Sequence, residues 1–359
     1  MDSRMGDGRG QQEWRHPTRR SFLAGAAGTL FASSVSGMLV AGCGDEQSAG
    51  GAKGLEPVTF LTIIPLNLGF VCEILGDLNG HFKQEGLKVD IQSTRGSAQA
   101  LQSILQGSAL LTRAGAIETV IAIADQDAPL VNIGMQWHKS PIAIVSADEK
   151  SLTTPEDFRG KKIGIPSEGG TSEITIDLML ASRDVPLGSV GRQVTGFSPG
   201  TFALVEKGRI DGYVIGSVEQ VIFDQQIPKA TVLDPSEYVE EGQCYITSRR
   251  SLQEQRDLLQ GYMNAIKAGM EDVLADRGNG FKKIIELVRS KHDFPELKAD
   301  SIAKGVLEQQ VDAWFYAGEE NMLNTVPENW QKVYDDLVGV GQAAKGKDPQ
   351  KWFSNELVS

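Results

Sequence analysis

Two glycine-led turns carry the first chemical signal. Gly96-Ser97 and Gly169-Gly170-Thr171-Ser172 each follow a strand-like run and open a helix-like one. Glycine lets a solute come close to the backbone, and the unpaired N–H groups at a helix start bind anions or carbonyl oxygens. Ser97 and Thr171 also suit plain helix capping. Other candidates flank these turns. Asn67, in a loop bounded by Pro65 and Gly69, both donates and accepts hydrogen bonds. Arg113, with Arg95 nearby, suits an oxyanion. Glu118 and Glu173 suit an amino group, although such residues also cap helices or face solvent, and with Glu168 they set carboxylates against an oxyanion. Trp137 follows a β-branched run and offers a ring face to a planar solute, or else a lid to the core. Tyr213 and Phe202 are further aromatics with the same two options.

Catalytic patterns are missing. The chain holds no Ser-His-Asp logic, no paired metal-ligand spacing and no nucleotide-binding glycine loop. Its four histidines, His16, His81, His138 and His292, are scattered. The sequence therefore predicts no catalytic residue, no metal and no cofactor. Cys72 and Cys244 stand alone beyond Cys43, so they are either a disulfide or two small buried hydrophobes. A formal charge of −12 argues against a nucleic-acid partner, which needs a basic face.

Alternating strands and helices must position these residues. Strand patterns cover residues 58–64, 88–91, 131–133, 142–145, 162–165, 212–215 and 243–246. Helical spacing covers 70–78, 97–105, 117–124, 171–181 and 201–205, with another helix from Val218. After Ser251 only helical patterns remain, at 252–275, 281–288, 302–315 and 330–340. Such alternation predicts an α/β protein with mostly parallel sheets flanked by helices and a helical C-terminal region. Two series of similar length predict two such units. Open parallel sheets bind beyond the carboxyl ends of their strands, which places the site between the units.

The amino terminus sets the compartment. Residues 1–42 hold five arginines against three acids, and residues 21–42 carry no charge. Thr18-Arg-Arg-Ser-Phe-Leu23 resembles the twin-arginine export motif, and Val40-Ala-Gly-Cys43 resembles a lipobox whose Cys43 takes the lipid. A membrane-spanning anchor is the alternative, but Gly and Ser dilute the stretch. Residues 43–54 read as a flexible tether. The expectation is an exported protein, in the periplasm or on the outer face of the cell membrane, held at the membrane surface by its lipid.

Three segments carry a family resemblance. Phe82-Lys-Gln-Glu-Gly-Leu-Lys-Val89, Ser151-Leu-Thr-Thr-Pro-Glu-Asp-Phe-Arg-Gly-Lys-Lys-Ile-Gly-Ile165 and Gly208-Arg-Ile-Asp-Gly212 occur in that order. Together they resemble periplasmic solute-binding proteins of the nitrate/sulfonate/taurine and thiamine-pyrimidine-precursor type. Gly107-Ser-Ala-Leu-Leu-Thr112 departs from that pattern, lacking its acidic residue. The resemblance implies a two-lobe periplasmic-binding-protein fold of type II. Lobe 1 would comprise residues 55–145 and 248–359, lobe 2 residues 146–247, with hinges near Ser146 and Thr247. It also implies a small-molecule ligand and an ABC permease with its ATPase as partners. The mixture of carboxylates, amides and aromatics leans toward a planar nitrogen heterocycle. Nitrate, sulfonate or taurine-like anions are the alternative, and a thiamine-pyrimidine synthase on the same fold is an alternative of another class.

Overall fold

The computed structural model describes residues 54–166, 168–196, 199–226 and 229–358. The signal stretch, Cys43 and all of the tether but Gly54 lie outside the described residues. Among the described residues, no helix is long and apolar enough to cross a membrane.

Among the described residues, ten strands form two five-stranded sheets. The strands are β1 Glu56–Thr62, β2 Leu87–Ser93, β3 Leu111–Gly115, β4 Leu130–Trp137, β5 Ile142–Ala147, β6 Lys162–Ile165, β7 Gly191–Val194, β8 Gly212–Gly216, β9 Ala230–Leu233 and β10 Gln243–Ser248. The helices are α1 Val71–Leu78, α2 His81–Gln84, α3 Ser97–Leu105, α4 Ala116–Gln126, α5 Thr171–Ala181, α6 Phe202–Glu206, α7 Ser217–Gln226, α8 Arg249–Glu254, α9 Arg256–Arg277, α10 Lys282–Arg289, α11 Asp300–Trp314 and α12 Pro327–Gly339.

The first sheet runs β2-β1-β3-β10-β4, and the second β7-β6-β8-β5-β9. β1 lies parallel to β2 and β3, while β10 is antiparallel to β3 and β4. β6 lies parallel to β7 and β8, while β5 is antiparallel to β8 and β9. Four strands of each sheet therefore point one way and one opposes them. In each sheet the opposed strand is the one the chain supplies on crossing over. This arrangement and the flanking helices are the periplasmic-binding-protein fold, mostly parallel as the alternation predicts.

The crossings fall elsewhere than the sequence places them. β5 belongs entirely to the second sheet and β10 entirely to the first. The connections are thus residues 138–141 and 234–242, rather than turns at Ser146 and Thr247. A hydrogen-bonded pair of connections results: the Ser140 N–H donates to Ser236 Oγ at 2.9 Å, and Lys139 Nζ lies 2.6 Å from Asp234 Oδ2. Gly242 leaves no room for a side chain, because a Cβ there would sit 2.0 Å from the Trp137 carbonyl oxygen.

All eight residues of β4 are buried although the strand ends its sheet. Its outer edge is covered by C-terminal chain. The Asn132 N–H donates to the Trp352 carbonyl at 2.9 Å, and the Met135 N–H to that of Leu323 at 2.8 Å. An edge covered in this way cannot pair with another molecule. α9 packs along α1 and α2, and α11 reaches α7 of the second lobe. There Gln309 Nε2 donates to Gln220 Oε1 at 3.2 Å and Ser301 Oγ to Gln225 Oε1 at 2.9 Å.

Candidate functional site

The loops beyond β2, β3 and β6 meet at one carboxylate. Glu118 stands in the first turn of α4, where the helix N-terminus favours a negative charge. Ser97 is buried at the start of α3 and donates its hydroxyl to Glu118 Oε1 at 2.9 Å. Thr171, the first residue of α5, donates its hydroxyl to the same oxygen. One oxygen thus joins both lobes at the ends of their strands.

A second carboxylate lies in the same seam. Glu241, in the return connection, is 2% exposed. Ser140 Oγ, in the outward connection, donates to Glu241 Oε2 at 2.8 Å, and Thr175 Oγ1 on α5 lies 3.1 Å from that oxygen. Burial pushes the Glu241 carboxyl up to about 8, and the charge of Glu118 adds to that; the hydrogen bonds from Ser140 and Thr175 act the other way. Sequence reasoning missed Glu241 because its connection has no motif; the only signal was an acidic pair, Glu240 and Glu241, beside a glycine before a strand.

The remaining candidates divide. Gly96 and Gly169 adopt φ of 126° and 66°, which β-carbons disfavour, so both turns need glycine. The Gly169 N–H donates to Glu173 Oε2 at 2.6 Å, which ties Glu173 to its own turn. Gly170 caps α5 with extended backbone, and Ser172 is buried one residue after Thr171. Asn67 accepts from the Gly69 N–H at 2.9 Å and shapes the loop after β1.

Three candidates lie in the core. Arg113 is 2% exposed, 3.4 Å from Glu73 Oε1; its Nη2 donates to the Gly69 carbonyl at 2.7 Å, and its Nη1 to Gln136 Oε1. Burial works against the guanidinium charge, but Glu73, Tyr245 and Cys72 together outweigh it, and the pKa is raised. Trp137 is 4% exposed, and its Nε1–H donates to Gln310 Oε1 at 3.1 Å. Tyr213 is fully buried in the second lobe, where burial pushes its hydroxyl up to about 12. Arg113 was offered to an oxyanion, and Trp137 and Tyr213 either to a solute or to the core; all three pack inside, Arg113 on Glu73 and Gly69 and Trp137 on Gln310. His138 is buried as well, which lowers its pKa to about 4, and its Nε2 lies 3.2 Å from the Asn321 carbonyl oxygen. Cys72 and Cys244 are free, buried thiols, so the disulfide option falls.

A surface hollow of about 720 Å³ lies elsewhere, beside the connection between α10 and α11. Arg289, Lys291 and Asp300 help to line it. It is an open, charged groove away from the strand ends, whereas the seam is closed by the Thr171–Glu118 contact.

Comparison with known proteins adds a family and a fold. Residues 67–278 match the family described as NMT1/THI5 like, which covers more than half of the chain. The chain is 22% identical over 313 residues to the riboflavin-binding protein RibY of Chloroflexus aurantiacus, covering 85% of this chain and 86% of that protein. It is 24% identical over 326 residues to the 4-amino-5-hydroxymethyl-2-methylpyrimidine phosphate synthase of Aspergillus parasiticus, covering 85% and 88%. Among solved structures it is similar to the alkanesulfonate-binding protein SsuA of Xanthomonas axonopodis pv. citri bound to MOPS. That match has a TM-score of 0.62 at 16% identity and covers 84% of this chain and 99% of that one.

Proposed function

Because the chain belongs to the NMT1/THI5-like family, we propose that it captures a small solute between its two lobes and delivers it to an ABC permease driven by its ATPase. The observation that carries this reading is the meeting of strand ends from both sheets at Glu118 and Thr171. Opening the two connections separates these groups, and closing them around a solute encloses it. The seam favours a planar nitrogen heterocycle over nitrate or a sulfonate. Carboxyl groups line it, while Arg113 is tied to Glu73 and Arg95 is exposed. The name of RibY, which says that it binds riboflavin, fits that preference.

The name of the Aspergillus relative raises the synthase reading. Against it stand the histidines: His138 is buried, His81 pairs with Asp272 at 2.6 Å, and His292 stacks on Phe294. None adjoins the seam carboxylates in a proton-transfer arrangement.

A melting screen tests the solute reading with aminopyrimidines, riboflavin, propanesulfonate and nitrate. A true ligand at 100 times its Kd stabilises the fold by about 2.7 kcal/mol. The expected result is a rise in melting temperature with a heterocycle and none with nitrate or propanesulfonate. No shift with any compound would remove the proposed function.

Export and lipidation at Cys43 complete the reading, on the strength of the lipobox-like Val40-Ala-Gly-Cys43. Cys43→Ser should move the protein from the membrane fraction to the soluble one. Identical fractionation of the variant and the wild type would exclude the anchor.

A further inference from the structure

The lobes also meet between two helices. α11 is fixed to the first lobe: Val306, Leu307, Val311 and Trp314 lie in its core, and the Ala313 carbonyl accepts from the His138 N–H at 2.9 Å. α7 is fixed to the second: Phe223 is buried there, edge-on to Phe202 with ring centres 5.1 Å apart. The two helices run past each other in opposite directions. Ser301, Gly305 and Gln309, four residues apart and so on one face of α11, meet Gln225, Val221 and Gln220 of α7 in turn. Nearer the start of α7, Val218 enters the apolar cluster of the first lobe.

Gly305 is what lets this stripe close. A β-carbon there would sit 2.6 Å from Val221 Cγ1, nearer than such carbons pack. Val221 is β-branched and stiff about its first side-chain torsion, so within a helix it has little freedom to swing clear. A glycine inside a helix costs about 1 kcal/mol relative to alanine. Gly305 lies within α11, away from both ends, and has no positive φ to require it. The close approach of Val221 is the feature it serves. Stripe and seam are made together: Thr171 reaches Glu118 while Val221 rests on Gly305.

We propose that the α7–α11 stripe is a clasp for the closed form, with Gly305 as the seat for Val221. The inference rests on the two-lobe closure of the proposed function and goes beyond it, because the tendency to close is set in part outside the carboxylate seam. Each helix is fixed to its own lobe, so rotation at the connections unseats Val221 as it parts Thr171 from Glu118. A clasp that favours closure tightens the binding of every enclosed solute by the same factor, whatever its chemistry. Solute selection and the tendency to close are thereby separate properties of the chain.

Distances across the mouth make the test. Spin labels at Arg95→Cys and Glu168→Cys, two exposed positions in the loops beyond β2 and β6, report the gap between the lobes by pulsed electron resonance. The full chain carries Cys43→Ser, and Cys72 and Cys244 are buried from the label. With Gly305 and Val221 in place, a short, closed-form distance should be well populated. Gly305→Leu, which suits a helix better than glycine and keeps α11 formed, should cut that population several-fold in favour of a longer distance. Gly305→Ala combined with Val221→Ala, which fills the seat with its own methyl group, should restore it. An undiminished short distance in Gly305→Leu overturns the clasp, as does its absence when Gly305 and Val221 are both present. Displacement of every distance alike, with the proportions kept, marks a pivot that persists through opening and overturns it too. If the Ala–Ala pair stays as open as Gly305→Leu, the seat assigned to Val221 falls. No solute enters the measurement, so these outcomes strike the clasp alone, whereas the melting screen strikes the solute reading.

Discussion

Replacing Arg113 with methionine should lower the unfolding free energy by about 3–5 kcal/mol, because it strands the Glu73 carboxylate in the core. Glu73 is fully buried, and its Oε1 lies 3.4 Å from Arg113 and 3.0 Å from the Tyr245 hydroxyl that donates to it. Losing Arg113 also frees the Gly69 carbonyl and removes the cation held 4.3 Å from the centre of the Phe70 ring. A fall in melting temperature on the order of 10 °C follows from those magnitudes. The double variant Glu73→Met with Arg113→Met takes both charges away together. It should be markedly more stable than Arg113→Met alone, since a buried pair repays little beyond its own desolvation. Calorimetric melts of wild type, single and double variants check this. A single variant within about 1 kcal/mol of the wild type would show that Arg113 is not needed to hold Glu73 in the core.

Trp137→Ala should also cost about 3–5 kcal/mol, the usual penalty for emptying a large aromatic site in a core. The substitution leaves a cavity at the end of β4 and deprives Gln310, itself 1% exposed, of the indole N–H. A stacking residue in an open cleft would behave in the opposite way, with affinity lost and the melting temperature kept. Thermal melts beside titrations of whichever compound stabilises the wild type separate the two. A large loss of affinity without a loss of stability would return Trp137 to the solute face.

The contrast shows what local pattern can carry. Apolar alternation and β-branched runs marked β1, β2, β4, β5, β6 and β8 because each is bounded by turn residues. β3 was missed, since Arg113 and Gly115 interrupt its short run, and burial of that arginine depends on Glu73, forty residues earlier. β7 and β9 are four-residue strands at the edges of their sheet, too short to show a period. β10 was legible as a strand but read as the close of the second series, because its neighbours β3 and β4 are more than a hundred residues away. At the site, Glu118 was legible at the start of a helical run, and the Gly169–Ser172 turn as a loop between strand and helix. Glu241 had no such setting, and the partners that draw Arg113, Trp137 and Tyr213 inward come from distant parts of the chain or from the packed sheet itself.

The position of β10 fixes an order of assembly. In its sheet β4 pairs only with β10, so all eight of its apolar and polar residues wait for chain synthesised long afterwards. The second sheet, by contrast, is complete once β9 has emerged. On a ribosome the later lobe therefore closes first, and the earlier lobe stays an unfinished three-stranded sheet beside a bare strand. The edge of β4 is sealed later still, when the segment around Leu323 and Trp352 arrives. Late pairing of this kind is slow and exposes sticky surface to neighbours. A nascent chain truncated before residue 243 would present β4 to any chaperone or to another copy of itself.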